Sequence, residues 1–197
     1  MRQTNYLKTM SITLRTKPNT DIWRKPPSTD AFNAATNLRS PIPVKQFRRA
    51  QLTVSASWTH LYDQGGLLLV LKGPQARTKW LKVGVEYYQG KPYVSTVGCD
   101  VWADWSIFPL GSNEANVEVR REEDINGKGL WCYLVQYDEN GQIQKRQPLR
   151  EIAWFFAETE DWELQVGEYA ARPAKAEVVN NEELEVNFPR PVELETV

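Results

Sequence analysis

Residues 61–110 read LYDQGGLLLVLKGPQARTKWLKVGVEYYQGKPYVSTVGCDVWADWSIFPL and contain three strand-like runs separated by turn-forming residues. Within them, residues 80–88 alternate with a period of two, which is the period of a β-strand. One face of this strand carries Leu81, Val83, Val85 and Tyr87, and the other carries Trp80, Lys82, Gly84, Glu86 and Tyr88. We therefore expect the first face to enter a core and the second to be wet or to face a ligand.

The segments around this strand are expected to complete a small sheet. Residues 89–92 (QGKP) can reverse the chain, so that residues 93–97 form the returning strand of a hairpin. A further strand is predicted at residues 67–71, and another lies within residues 101–110. Gly65 and Gly66 allow the chain to bend where a side chain would obstruct it.

Five short motifs in and around this stretch resemble those of a widespread family of uncharacterised concanavalin A-like domains. They are TDIWR at 20–24, LYDQGGL at 61–67, WLKVGVE at 80–86, DWS at 104–106 and VGEYAARP at 166–173. The resemblance covers roughly residues 20–190, and the family's fungal members include the regulation-of-enolase protein. It implies an all-β fold, a concanavalin A-like jelly-roll sandwich of two antiparallel sheets. One fold hosts many activities, so the resemblance implies less about function.

The remaining chain continues the same pattern of short strands and turns. Further strands are predicted at residues 44–56 with an interruption near Arg48-Arg49, and at 116–121, 130–137, 143–145, 152–157, 163–171 and 183–188. Asn126-Gly127 and Asn140-Gly141 are expected to close hairpins, the second by a two-residue turn. Two adjacent prolines make residues 25–33 a loop. Many short strands with such turns predict two antiparallel sheets packed face to face.

Length and composition predict one domain and exclude several kinds of partner. We expect residues 1–19 to form an N-terminal arm, in which Ile12 and Leu14 add an edge strand, and residues 20–197 to form a single domain. With a net charge of −1, the sequence lacks the excess of positive charge that is typical of nucleic-acid-binding proteins. The longest apolar run, 67–71, is far below the ~20 residues that span a membrane. The first 17 residues lack the apolar segment of a secretory signal, and Cys99 and Cys132 are too few for a disulfide framework, so we expect a cytoplasmic protein with reduced thiols.

Most classes of enzyme reaction need catalytic residues or motifs that this sequence does not contain. The single histidine, His60, has no cysteine or carboxylate cluster at ligand spacing, so no metal site and no catalytic residue is assigned. No phosphate loop or dinucleotide fingerprint is present, and no cofactor is expected. Glycoside hydrolysis needs only two carboxylates and is kept as an alternative. Glu86, however, is followed by two tyrosines, and the acids at 158–163 cluster at an expected turn.

Lys82 and Glu86 form the centre of the candidate site. They project from one face of a strand with Gly84 between them, which leaves a gap about one side chain wide. The other candidates follow from convergence of the motifs, which the resemblance implies, and from aromatic faces that can receive sugar C–H groups. The candidate ligand-binding residues are Arg24, Asp63, Trp80, Lys82, Glu86, Tyr88, Asp104 and Trp105, with Trp102 at the border. The alternatives are core packing for the tryptophans and, for Lys82 and Glu86, a buried or half-buried polar network that fixes the sheet register, in which the two are simply paired.

Three functions remain open. The first is a non-catalytic cytoplasmic binding or regulatory protein of carbohydrate metabolism, for which the family resemblance implies enolase as a partner. The second is a carbohydrate-binding module that uses the Lys82/Glu86 face. The third, a glycoside hydrolase, would lose turnover in Glu86→Gln. An open groove above Lys82 and Glu86 favours ligand binding, whereas a pair sealed beneath loops favours architecture.

Overall fold

A computed structural model describes residues 11–157 and 160–197 of the chain. Most of the predicted arm (residues 1–10) and the first two residues of the acidic cluster at 158–163 lie outside the described residues. The described chain forms one short 3-10 helix, Val44–Gln46, and strands β1 (Ile12–Thr16), β2 (Ile22–Lys25), β3 (Thr29–Phe32), β4 (Ala35–Leu38), β5 (Ile42–Pro43), β6 (Phe47–Ala56), β7 (Gln64–Lys72), β8 (Lys79–Tyr88), β9 (Lys91–Cys99), β10 (Ala103–Pro109), β11 (Glu114–Asp124), β12 (Gly127–Tyr137), β13 (Ile143–Ile152), β14 (Glu163–Ala171), β15 (Leu184–Phe188) and β16 (Glu193–Thr196). No helix in these ranges has the length and apolarity that a bilayer crossing needs.

The strands form two antiparallel sheets. The first sheet has the order β1-β15-β6-β11-β12-β13, with β16 also paired to β6. The second has the order β10-β9-β8-β7-β14-β4, with β5 also paired to β14, and a separate hairpin consists of β2 and β3. The predicted all-β sandwich of two antiparallel sheets is therefore confirmed, and β1 is the edge strand expected around Ile12 and Leu14.

The main core lies between the two sheets, where alternate residues of the central strands meet. From β8 of the second sheet, Leu81, Val83 and Val85 are fully buried, as the period-two pattern predicts. The first sheet contributes Val117 and Val119 of β11, which are buried to the same extent. Burial of each such side chain stabilises the fold by about 1.5–3 kcal/mol.

A second, smaller core covers part of the opposite face of the second sheet. Its members come from β7, β8, β9, β14 and the hairpin, and they are Ile22, Leu68, Val70, Trp80, Val97, Cys99 and Tyr169. The hairpin β2–β3 packs on this face through Ile22 and half-buried Trp23. The polar face of β8 is therefore not simply wet, because part of it lies beneath the hairpin.

Three local predictions are corrected by the structure. Residues 25–33, predicted to be a loop, contain most of the hairpin β2–β3, because the adjacent prolines occupy its turn and not a strand interior. The strand at 44–56 begins as the 3-10 helix and is then continuous through Arg48-Arg49, since Arg49 pairs in register with Arg120 of β11. Asn140-Gly141 lies in a five-residue loop, 138–142, in which Asp138 Oδ1 accepts from two backbone N–H groups.

The prediction for the apolar run 152–157 was also wrong, but for a different reason. The run was predicted to be a core strand, but β13 ends at Ile152 and the chain then makes successive turns through Ala157. Phe155 is buried in the main core, where its ring lies 6.4 Å from that of Phe47. The run is therefore apolar because it closes one end of the sandwich. Beyond the last predicted strand, the chain adds β16 alongside β6.

Candidate functional site

A pocket of about 280 Å³ lies on the outer face of the second sheet, beside the hairpin. Its lining comes from β2, β7, β8, β9, β10 and the segments before β2 and β7, and consists of Asp21, Trp23, Lys25, Tyr62, Gln64, Lys82, Glu86, Val97 and Trp105. Lys82 and Glu86 are 2% and 7% exposed, so they form its floor. They share this floor because residues four apart on a strand point to the same side.

Lys82 is held at the floor by oxygen atoms and aromatic rings. Its Nζ donates to Gln64 Oε1 at 2.6 Å and lies 3.7 Å from Asp21 Oδ1. The same nitrogen is 5.7 Å from the ring centroid of Trp80 and 5.8 Å from that of Tyr169, within cation–π range. Burial lowers the pKa of Lys82, and the charges of Asp21 and Glu86 act against that shift.

Glu86 has one satisfied and one unsatisfied oxygen. Its Oε2 accepts from Ser95 Oγ at 2.6 Å and from Trp105 Nε1 at 3.0 Å. No described residue donates a hydrogen bond to its Oε1, which leaves an acceptor at the pocket floor. Burial raises the pKa of Glu86, while Lys82 and these two donors act in the opposite direction. The carboxyl is thus fixed in orientation with one oxygen available.

Gln64 connects the lysine to the segment before the hairpin. Its Oε1 accepts from Lys82, and its Nε2 lies 3.3 Å from Asp21 Oδ1 and 3.2 Å from the backbone oxygen of Tyr62. Asp21 Oδ1 also accepts from the Ile22 backbone N–H at 2.7 Å. Lys82 and Glu86 therefore have separate partners: each belongs to a buried polar network, as the alternative expected, but the described residues do not form a direct Lys82–Glu86 ion pair.

Aromatic rings form one side of the pocket and continue beyond it. Trp105 lies edge-on to Tyr88, with ring centroids 5.4 Å apart, and edge-on to Tyr62 at 6.4 Å. Tyr62 and Tyr88 are stacked, with centroids 5.9 Å apart and planes at 23°. Trp23 lines the pocket from the hairpin. The site thus combines flat apolar surfaces with a polar floor.

The structure brings together four of the eight candidate ligand-binding residues. Lys82, Glu86 and Trp105 line the pocket, and Tyr88 adjoins it through its contacts with Trp105 and Tyr62. Trp80 lies beside Lys82 on the same face of β8, but it is fully buried, and Lys82 Nζ is 5.7 Å from its ring centroid. Its indole face is therefore part of the smaller core and is not open to a ligand.

Arg24, Asp63 and Asp104 do not converge on the pocket. Arg24 donates to Asp30 Oδ1 at 2.8 Å and to the Thr78 backbone oxygen at 3.0 Å. Asp63 is fully buried in an ion pair with Arg172. Asp104 is exposed and pairs with Arg150, and Trp102 lies against the guanidinium of Arg77. The expected convergence of these side chains is therefore wrong.

The residues that sequence reasoning missed lie next to those it chose. Asp21 and Trp23 alternate with Arg24 along the TDIWR motif, and Tyr62 and Gln64 flank Asp63 in LYDQGGL. Side chains of an extended chain point to opposite sides in turn, so a choice that is one residue off selects the wrong side. Gln64 pairs with Glu86 across β7 and β8, so the two side chains point to the same face of the sheet. Once this register is known, the pairing identifies Gln64 as a residue of the site.

No metal site and no disulfide is formed by the residues that the structure describes. They contain no group of three or more His, Cys, Asp or Glu side chains placed to hold a metal ion. Cys99 and Cys132 are both unpaired and buried.

The sequence of this chain is similar to a family of unknown function and to two fungal proteins. A family model described as a protein of unknown function (DUF1349) matches residues 2–190. The chain is 46% identical over 179 residues to an uncharacterized protein of Emericella nidulans, covering 90% of this chain and 82% of that one. It is 29% identical over 164 residues to Regulation of enolase protein 1 of Saccharomyces cerevisiae, covering 83% and 74%.

Solved structures with the same fold include proteins of several kinds. A functionally unknown protein of Saccharomyces cerevisiae gives a TM-score of 0.68 at 23% identity, covering 95% of this chain and 88% of that one. An immunostimulatory antigen and pseudo beta-1,3-glucanase of Mycobacterium tuberculosis gives 0.52 at 11% identity, covering 95% and 75%. At these identities the likeness shows the fold alone. The resemblance that the motifs indicated is confirmed.

Proposed function

The chain belongs to the DUF1349 family of proteins of unknown function, and we propose that it is a non-catalytic binding protein whose pocket holds a neutral carbohydrate over Lys82 and Glu86. The observation that carries this proposal is a pocket of about 280 Å³ that combines a fixed polar floor with tryptophan and tyrosine rings. Ligand pockets typically have a few convergent polar groups among apolar and aromatic walls.

The floor matches the hydrogen-bonding capacity of neighbouring hydroxyl groups. Glu86 Oε1 and Asp21 Oδ2 accept no hydrogen bond from the described residues, and the Lys82 ammonium has three donors, of which Gln64 takes one. A sugar hydroxyl donates one hydrogen bond and accepts others. A vicinal pair of hydroxyls can therefore donate to a carboxylate and accept from the ammonium at the same time.

The charges of the pocket favour a neutral ligand over an ionic one. Its lining carries two lysines, Lys25 and Lys82, and two carboxylates, Asp21 and Glu86, so the formal charges cancel. An anionic ligand would be repelled by the carboxylates, and a cationic one by the lysines. A polyhydroxylated molecule uses both kinds of group without adding a buried charge.

Four other depressions formed by the described residues lack this combination of charged groups with tryptophan and tyrosine rings. One of about 330 Å³ lies on the first sheet beside Gln51 and Tyr137, but its lining holds a single aromatic residue, and Gln51 and Tyr137 are hydrogen-bonded to each other. The pocket over Lys82 contains two tryptophans in addition to its charged groups, and Tyr62 lies at its edge. Stacking on such rings provides apolar contact for the C–H face of a sugar.

The test is a binding titration with neutral monosaccharides, read by isothermal calorimetry and by tryptophan fluorescence. Lys82→Met and Glu86→Gln are expected to weaken binding roughly tenfold or more, because each removes a charge-assisted hydrogen bond. Trp105→Phe should remove most of the fluorescence response, since the Trp105 indole lies in the pocket. Lys128→Met and Glu185→Gln, on exposed ion pairs, are the matched controls.

Three outcomes would contradict this function. A flat titration across glucose, galactose, mannose and xylose would remove carbohydrate binding, and equal loss in the Lys128→Met control would remove the assignment to this pocket. Oligosaccharides recovered after incubation are expected to be intact. Cleavage that disappears in Glu86→Gln would instead establish a glycoside hydrolase, with Asp21 as the second carboxylate of the pocket.

A second proposal is that binding serves regulation of carbohydrate metabolism through enolase in the cytoplasm. It is supported by the 29% identity to Regulation of enolase protein 1, which extends over 164 residues. The protein immobilised at micromolar concentration is expected to retain enolase from a cell extract. Resin that carries an unrelated β-sandwich of similar size and charge is the control, and equal recovery of enolase on both would contradict the proposal.

A further inference from the structure

Tyr62 has a backbone conformation that bulky side chains rarely adopt. Its φ is +66°, in the left-handed region that favours glycine. The residue is the penultimate one before β7, in a turn where the Asp63 N–H donates to the His60 backbone oxygen at 2.9 Å. The Tyr62 N–H donates to the Tyr87 backbone oxygen at 2.7 Å, which ties this turn to the end of β8. Strained residues of this kind persist where the surroundings impose them, often at ligand sites.

A buried ion pair imposes this conformation. Arg172 Nε donates to Asp63 Oδ1 at 2.9 Å and Arg172 Nη2 to Asp63 Oδ2 at 2.8 Å, with both residues buried. The Asp63 backbone oxygen accepts from the Tyr87 N–H at 2.8 Å, so both sides of the turn are fixed. Asp63 therefore anchors the preceding residue, Tyr62. This role accounts for the position of the Asp63 side chain outside the pocket.

The anchored turn presents the Tyr62 ring towards solvent at the edge of the pocket. Tyr62 is 38% exposed, and its ring stacks on Tyr88 behind it. Trp105 contacts both tyrosines and donates its indole N–H to Glu86, so the aromatic surface is continuous with the pocket floor. A rigid, half-exposed tyrosine next to a pocket is a platform for a flat apolar face.

We propose that Tyr62 and Tyr88 form a second subsite that stacks on the second ring of a neutral oligosaccharide. This inference rests on the proposed function, because the first ring occupies the pocket over Lys82 and Glu86. The pocket, at about 280 Å³, is slightly smaller than the range of roughly 300–1,000 Å³ for ligand pockets. It suits a single ring, and a longer sugar leaves it across the aromatic surface that Trp105 joins to the floor.

The test compares dissociation constants for a monosaccharide and for the disaccharide and tetrasaccharide of the same sugar, using glucose, galactose, mannose and xylose. The protein is expected to bind the disaccharide at least about fivefold more tightly than the monosaccharide. Tyr62→Asn should abolish this gain, because asparagine tolerates the left-handed conformation but has no ring. Tyr62→Phe should keep it. Tyr137→Asn removes a tyrosine that is also 38% exposed, on the first sheet, and is the control.

The outcomes separate the two claims. If no sugar binds, the proposed function fails and this inference fails with it. If mono- and disaccharides bind equally and Tyr62→Asn changes neither, the second subsite is wrong while the pocket remains. A loss of equal size for both sugars in Tyr62→Asn would place the ring in the first subsite and would also overturn the inference.

Discussion

Replacement of Arg172 by methionine should be one of the most destabilising substitutions of a buried polar residue in this fold. Its guanidinium makes the two hydrogen bonds to Asp63, donates through Nη1 to the Glu182 backbone oxygen at 3.0 Å and through Nη2 to Thr59 Oγ1 at 3.1 Å. The two carboxylate contacts are bidentate and charge-assisted, the strongest class of hydrogen bond in proteins. A single side chain therefore joins the residue that follows β14 to the turn before β7 and to the segment before β15.

The magnitude follows from the burial of both partners. Side chains of Asp63 and Arg172 are 0% and 3% exposed, so the carboxylate left behind in Arg172→Met stays out of water. Removal of one member of a buried ion pair costs about 3–5 kcal/mol. For a chain of this length, 1 kcal/mol corresponds to roughly 2–4 °C in the melting temperature, so a decrease of roughly 10 °C is expected.

Thermal and urea unfolding followed by circular dichroism measure this cost. Arg15→Met is the matched control, because Arg15 pairs with Glu185 at 2.8 Å while both side chains are more than half exposed. Such a surface pair contributes about 0–1 kcal/mol. The double variant Asp63→Asn/Arg172→Met should lose less than the sum of its parts, since the two side chains act as one unit. A loss for Arg172→Met that matches Arg15→Met would refute the reasoning.

Three further expectations concern other parts of the chain. Burial raises the pKa of Glu86 above its ordinary 4.5, so between pH 4.5 and the raised pKa the folded protein holds a proton that the unfolded chain releases, and stability falls as the pH rises through that interval; Glu86→Gln should reduce this fall in urea titrations that start at pH 4.5 and go upward, and an unchanged slope would count against it. A Cβ at Gly84 would overlap the backbone oxygen of Gly65, so Gly84→Ala should cost roughly 1–3 kcal/mol or more, whereas Gly111→Ala, with open space around it, should be neutral by thermal unfolding. Burial raises the pKa of the Cys132 thiol to about 12, so mass spectrometry should find this thiol alkylated in urea but not in the folded protein, and rapid labelling of the folded protein would contradict the burial.

Alternation along single strands was readable from the sequence. The strand predicted at 80–88 is observed as Lys79–Tyr88, and the one predicted at 163–171 as Glu163–Ala171. These predictions succeeded because the two faces of a strand differ in composition wherever one face enters a core. Packing overrode the local signal at residues 152–157, where an apolar composition reflects closure of the core and not a sheet.

In the candidate site, too, some residues could be predicted from the sequence and others could not. Lys82 and Glu86 could be placed on one face from their spacing alone, and Trp105 from the motif that contains it. Asp21, Tyr62 and Gln64 could not be found in that way, because they enter the pocket only when the hairpin β2–β3 packs on the second sheet and β7 pairs with β8.

By itself the sequence determined the fold class, the face of β8 that carries the polar groups and the family. Only the tertiary structure decided which motif residues meet: it placed Arg24, Asp63 and Asp104 in other contacts and brought their neighbours into the pocket. The physical reason is that strand alternation is a local property of two or four residues, whereas a pocket depends on which side of each strand faces which, and that is settled by packing between segments far apart in the chain.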